Sequence, residues 1–101
     1  MSAYMIVQLD ITDQETFNEY ISLVVPQNHA HGGRYIVRGA PHENLEGEWD
    51  PVRLIIFEFP STDDIHRFYE SEEYQPLIAM RKRCANSILT VIDGYDDVDA
   101  A

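Results

Sequence analysis

The chain is poor in cysteine, in basic residues and in long apolar runs, and each shortage closes off a class of function. Its single cysteine, Cys84, can form no internal disulfide and has no Cys or His at zinc-like spacing. It reads as a small, semi-buried side chain on a helix rather than a catalytic thiol, since Arg81 and Arg83 would lower its pKa only on close approach. Seven Lys and Arg stand against eighteen Asp and Glu, a formal charge of -11 that repels a phosphate backbone and an anionic membrane surface. No apolar run approaches the roughly 18 residues that a membrane span needs. The opening Met1-Ser2-Ala3-Tyr4-Met5 also lacks the basic and apolar regions of a secretory signal. The expectation is a cytoplasmic protein with no nucleic-acid and no membrane partner.

What is present is enough for one core. At 101 residues, 45% hydrophobic and 25% charged, the chain fits one domain over residues 1–95 and an acidic C-terminal tail over 96–101. The pattern reads strand, helix, strand, strand, helix, strand. Ala3 to Asp10 alternates, with Met5, Val7 and Leu9 on one face and Tyr4, Ile6 and Gln8 on the other. Thr12 and Glu15 form a capping box for a helix whose stripe is Phe17, Tyr20, Ile21 and Val24, with Pro26 as its stop. Gly32-Gly33 makes a turn before the second strand, Arg34 to Arg38, and a polar loop over 40–51 leads to a third, Val52 to Phe59, apolar enough to be central.

Ser61 caps the second helical region, which is expected to break near Glu70-Ser71 and resume with Pro76 in its first turns; a last strand covers Ser87 to Ile92. Two βαβ-like units with their helices on one side give a ferredoxin-like α+β sandwich with an antiparallel sheet, βαββαβ. Ile36, Ile56, Tyr4, Ile6 and Ile88 would then project from the uncovered face. That predicts a homodimer packed sheet against sheet.

Five residues are the candidates for a ligand pocket. His31 stands beside the glycine pair, where an imidazole can act as a base near neutral pH or simply cap a loop. Arg34 and Arg38, four apart on one strand, are expected to share a face, and either could pair with Glu58 or hold a carboxylate. Trp49 serves as a loop anchor or a stacking plate. Arg38, at the sheet edge next to Gly39, is expected to be most coupled to a small carboxylate ligand. Tyr74 and Arg81, seven apart, read as helix-to-sheet or dimer contacts. His29 and His31 have no third ligand at fixed proximity, because His42 lies across an irregular loop and His66 on the second helix, so no metal is expected. No motif marks a flavin, nicotinamide or haem, and no cofactor is expected.

Tyr20, Gly32-Gly33-Arg34-Tyr35, Arg38-Gly39, Glu46-Gly47 with Trp49, Pro51 and Arg53, Glu58-Phe59-Pro60-Ser61, Tyr69, Ser71, Glu73-Tyr74, Leu77 and Arg81 together resemble the family of small proteins called domain of unknown function 1330. The resemblance covers about residues 3–95. Phe68 stands where that family often has Trp, and His29 is an additional imidazole. The resemblance implies a dimeric α+β barrel, in which two ferredoxin-like protomers face their sheets together. It also implies a wider kinship with cofactor-free monooxygenases, lactone isomerases and haem enzymes.

Three functions stay open. The chain binds a small anionic or aromatic molecule in a pocket near the sheet, or it is a cofactor-independent monooxygenase or isomerase acting on a small aromatic or keto-acid substrate, or its role is purely structural. Whether it is an enzyme is left open by the residues alone.

Overall fold

The structure, a computed structural model, describes residues 2–39 and 41–95. Its elements run β1 (Ala3–Ile11), α1 (Gln14–Ala30), β2 (Arg34–Arg38), β3 (Arg53–Phe59), α2 (Thr62–Tyr69), α3 (Gln75–Cys84) and β4 (Ala85–Asp93). The expected acidic tail over 96–101 lies outside the described residues. No helix of the described residues is long and apolar enough to cross a membrane.

The four strands form one antiparallel sheet in the order β2-β3-β1-β4. This is the ferredoxin-like sandwich, and β3 is central as its apolar sequence predicts. Of the expected dimeric α+β barrel, closure into a barrel is overturned. The sheet is open, because β2 and β4 are its two edges and each has a single neighbour. Closure would require those edges to pair, and four strands of five to nine residues twist past one another before they can meet.

The period-2 alternation sets the two faces. Met5, Val7, Leu9, Ile55, Phe57 and Phe59 point to the helices, where they meet Phe17, Tyr20 and Val24 of α1, Ile65 and Phe68 of α2, and Leu77 of α3. On the other face Ile6 and Ile56 are half-buried, while Ile36, Ile88 and Ile92 are exposed.

Three local expectations change. The cap of α1 is Asp13, not Thr12: its carboxylate accepts from Thr16 N at 3.2 Å and Thr16 Oγ1 at 2.7 Å. Thr12 N is already committed to the carbonyl of Cys84 at 2.8 Å, which fastens the end of β1 to the end of α3. Pro26 does not stop α1, which runs on to Ala30. Pro26 and Ser22 are both exposed, so water can serve the carbonyl that loses its helical donor, while Val24 and Asn28 hold the inner side. Finally, β4 begins at Ala85, directly after α3, because Ala85 pairs with Ile11.

The break between α2 and α3 is as expected. Ser61 caps α2, accepting from Asp64 N at 3.1 Å, and Pro76 sits in the first turn of α3.

Candidate functional site

Helical spacing on α1 and α3 assembles a polar cluster inside the core. Tyr20 and Asn28 project inward from α1, two turns apart, and Tyr74 and Arg81 come from the two ends of α3. The Tyr20 and Tyr74 hydroxyls are 2.8 Å apart. Arg81 Nη1 donates to Tyr74 Oη at 2.7 Å and its Nε to Ser87 Oγ at 3.1 Å. Arg81 is only 3% exposed, yet no carboxylate among the described residues pairs with it. A buried charge with no counter-ion costs on the order of several kcal/mol. The C-terminal carbonyls of α3 and the two phenol oxygens offset part of that cost.

Proton counting shows what the cluster has left to offer. Each tyrosine carries one O–H. Arg81 fills an acceptor position on Tyr74, and one phenol donates to the other, so one O–H of the pair has no acceptor among these groups. Asn28 is 1% exposed; its Nδ2 reaches Val24 O at 3.4 Å, and its Oδ1 has no partner. Tyr20, Tyr74, Asn28 and Arg81 line a cavity of about 20 Å³, otherwise walled by apolar residues including Met5, Phe17, Tyr35 and Phe57. That volume admits roughly one water molecule. Arg81 and Leu89 also border a solvent-open basin of about 550 Å³ along the edge of β4, with Tyr69, Lys82, Asn86 and Ser87 around it. Arg81 thus stands between the core cavity and the accessible basin.

Electrostatics hold these groups in fixed protonation states. Burial pushes the Tyr20 phenol far above its ordinary range, and the neighbouring Tyr74 adds to the shift. Burial raises Tyr74 as well, against the opposing pull of the Arg81 charge. For Arg81 burial works against the charge, but the Tyr74 and Tyr20 oxygens outweigh it and its pKa lies above the usual value. The cluster is therefore one permanent cation and two neutral phenols at any physiological pH. Burial also raises Cys84, which is fully enclosed and reaches only the carbonyl of Arg81 at 3.5 Å. That is the environment of a structural thiol.

The five residues singled out from the sequence are not gathered in one place. Arg34 and Glu58 are directly opposed on β2 and β3, with Arg34 Nη2 at 2.5 Å from Glu58 Oε1, and Tyr4 Oη reaches Glu58 at 3.4 Å. Arg34, not Arg38, is the partner of Glu58. The two arginines do not share a face: a β-bulge between Tyr35 and Val37 adds one residue to β2, so Arg34 lies opposite Glu58 on the uncovered face and Arg38 opposite Ile55 on the helical face. Arg38 places its Cζ 4.7 Å from the centroid of the Tyr35 ring. His31 is the C-cap of α1, its ring edge-on to Phe68 at 6.0 Å. Trp49 lies in the loop before β3, its carbonyl accepting from His42 Nε2 at 2.9 Å and Asn44 Nδ2 at 3.0 Å.

Sequence reasoning missed Tyr20, Asn28 and the role of Arg81. The signal for Asn28 was available, since Phe17, Tyr20, Val24 and Asn28 recur at three- and four-residue spacing, but it lay beyond the proline. The glycine pair holds this end of α1. Gly32 adopts φ 87°, and Gly33 N donates to Asn28 O at 2.7 Å.

With fold and site in view, the chain is an α+β sandwich that buries a polar cluster between sheet and helices. It belongs to the family described as domain of unknown function (DUF1330), whose model matches residues 2–95. No curated protein matches it in sequence. Its fold is similar to that of a protein of unknown function from Rhodopseudomonas palustris, with a TM-score of 0.74 at 17% identity over 94% of this chain and 83% of that one. It is similar also to SnoaB, a cofactor-independent oxygenase from Streptomyces nogalater, with a TM-score of 0.63 at 9% identity over 97% of each chain. A dimeric ferredoxin-like protein of unknown function from Thermobifida fusca gives a TM-score of 0.61 at 11% identity over 93% and 92%.

Proposed function

We propose that the chain is a cofactor-independent enzyme, an oxygenase or an isomerase, that holds a small aromatic or keto-acid substrate as its enolate or phenolate anion against Arg81. The observation that carries this reading is a buried guanidinium with no carboxylate partner among the described residues, set between an accessible basin and the core. A substrate ring fits the basin, whose volume of about 550 Å³ is within the usual range for small-molecule sites. Its oxygen would meet Arg81, where a fixed cation in a low-dielectric wall stabilises negative charge as it develops. Tyr20, Tyr74 and Asn28 line the core cavity and not the basin, so Tyr74 acts on the anion by holding Arg81 in place rather than by contact. The proton lost in forming the anion passes to water in the open basin, and the resulting carbanion either combines with dioxygen to give a peroxide anion or is reprotonated by water at another carbon. The likeness of fold to SnoaB supports the first of these outcomes.

The test uses 4-nitrophenol, whose anion absorbs visibly. On binding, its pKa should fall, so the bound fraction turns yellow at a pH where the free phenol is colourless, and Arg81→Met should abolish the effect while preserving the fold. An unshifted pKa, or a shift retained in R81M, overturns the reading. Oxygen uptake with enolisable aromatic ketones then separates oxygenase from isomerase, and binding with neither reaction returns the chain to a small-molecule binder.

We further infer that two copies associate through the uncovered sheet face, in the cytoplasm. Exposed Ile36, Ile88 and Ile92 beside half-buried Ile6 and Ile56 support this, as does the dimeric neighbour from Thermobifida fusca. Light scattering that returns the single-chain mass of 11.7 kDa at micromolar protein would exclude it.

A further inference from the structure

At the opposite edge of the sheet a second group of polar atoms is left unused. The chain has eighteen acidic residues to seven basic ones, and two of its arginines are held by carboxylates, Arg34 by Glu58 and Arg67 by Asp64. Arg38 and Arg53 pair with none among the described residues. The β2 bulge brings them together. Beyond it Arg38 lies opposite Ile55, and Arg53 projects from the same face of β3, two residues earlier. The Arg53 guanidinium lies flat against Gly39, where an added Cβ would stand 3.1 Å from its Cζ, and the positive φ of 66° at Gly39 keeps that approach open. Tyr35 lies beneath Arg38 and is stacked on Phe57 at 4.4 Å. Two polar atoms in this patch are sealed from solvent without a partner: Tyr35 Oη and Arg53 Nε. Both are donors, and burying donors unmet is costly enough that each calls for an explanation.

We propose that Tyr35, Arg38 and Arg53 form a binding site for the carboxylate of a small molecule. Two guanidinium forks and one phenol O–H are donors only, and a planar carboxylate offers about four lone-pair positions to receive them. A monoanion is preferred over a phosphate dianion, because the surrounding field of a chain with net charge -11 opposes the second negative charge. Burial raises the Tyr35 phenol while the Arg38 and Arg53 charges pull it back, so both cations act on this hydroxyl and it stays a donor at neutral pH. Tyr35 also walls the core cavity, but Arg38 and Arg53 do not, and the site rests on these two cations rather than on Arg81.

The experiment is a nuclear magnetic resonance titration of the full chain with benzoate, with inorganic phosphate as a second arm. Benzoate at millimolar concentration should give saturable shifts centred on Tyr35, Arg38, Gly39 and Arg53. Arg38→Met should weaken binding at least tenfold, and since Arg38 is exposed its replacement leaves the fold intact. Arg53→Met should do the same and Tyr35→Phe should weaken binding several-fold, whereas R81M should leave it unchanged. Absence of saturable shifts, benzoate affinity unaltered in R38M, or preferential binding of phosphate would each overturn the proposal.

Discussion

The hydroxyls of Tyr20 and Tyr74, fifty-four positions apart in the chain, are 2.8 Å from one another, and Arg81 Nη1 donates to the second of them at 2.7 Å. This places Tyr74 at the centre of the buried cluster, within hydrogen-bond distance of both the other phenol and the guanidinium. Tyr74→Phe removes the acceptor of a buried cation and should destabilise the chain by about 1–3 kcal/mol, whereas Tyr20→Phe should cost about 0.5–1.5 kcal/mol because Arg81 keeps its acceptor. Urea denaturation of both variants and of the double variant checks this. Equal losses in the two singles would mean that Arg81 does not depend on Tyr74.

Alkaline pH tests the same pair from the other side. Tyr20 and Tyr74 have folded-state pKa values raised by burial above the value of about 10 expected when unfolded. The folded state therefore binds more protons there, and the stability they contribute is complete below about pH 10 and is lost as pH rises through the folded values. Ultraviolet titration should show these two phenols remaining neutral until the protein unfolds. Ionisation of all six tyrosines together near pH 10, with tertiary structure retained, would contradict this.

Much of this architecture is legible in the residues, and the failures have identifiable physical causes. Strict alternation in β1 and β3 gave the two faces, because a half-buried strand has only one way to present Met5, Val7 and Leu9 to the helices. The same period failed on β2, where one extra residue at the bulge reverses everything after it: Arg34 and Arg38 look like face-mates by counting and are not. No local signal marks that bulge. Pro26 failed for the opposite reason, a strong local rule overridden by the packing of Val24 and Asn28 on the far side of the helix. The candidate site suffered most, since its members come from α1, α3 and β4: spacing associates Tyr20 with Asn28 and Tyr74 with Arg81, but nothing local brings the two pairs together. A closed barrel does not follow from strand pattern, because pattern sets which face is apolar and not how sheet edges pair.

Acid should weaken the fold through three carboxylates. The hydrogen bond from Thr16 lowers the pKa of Asp13, Arg34 lowers that of Glu58, and Ser61 lowers that of Asp64. Depressed folded values mean that the contribution is present above the unfolded range, about pH 4–4.5, and is lost as pH falls through the folded values. The midpoint of thermal unfolding should hold steady from neutral pH to about pH 5 and decline below pH 4. Arg34→Met should lower the plateau only slightly, as expected of a solvent-facing ion pair, and flatten the acid limb by the same small amount. A midpoint that rises on acidification would show that relief of repulsion among the eighteen acidic residues outweighs these local bonds.

Gly33 and Gly47 separate steric closeness from backbone strain. At Gly33 an added Cβ would lie 2.6 Å from Phe59 Cζ and 3.0 Å from Asn28 O, and neither a core ring nor a helix carbonyl can retreat without disturbing the cavity wall. Its φ is not in the left-handed region, so contact alone governs the cost. Gly47 has φ 75° in an exposed loop with open space around it, so there only strain counts. Gly33→Ala should therefore cost about 1–3 kcal/mol, and Gly47→Ala about 1 kcal/mol. The two should differ in kind as well as in size. Moving the Asn28 carbonyl shifts Asn28 itself, so G33A should also alter amide hydrogen exchange at the end of α1, while G47A leaves it as it is. If G33A behaves like G47A in both stability and exchange, the glycine pair does not position Asn28.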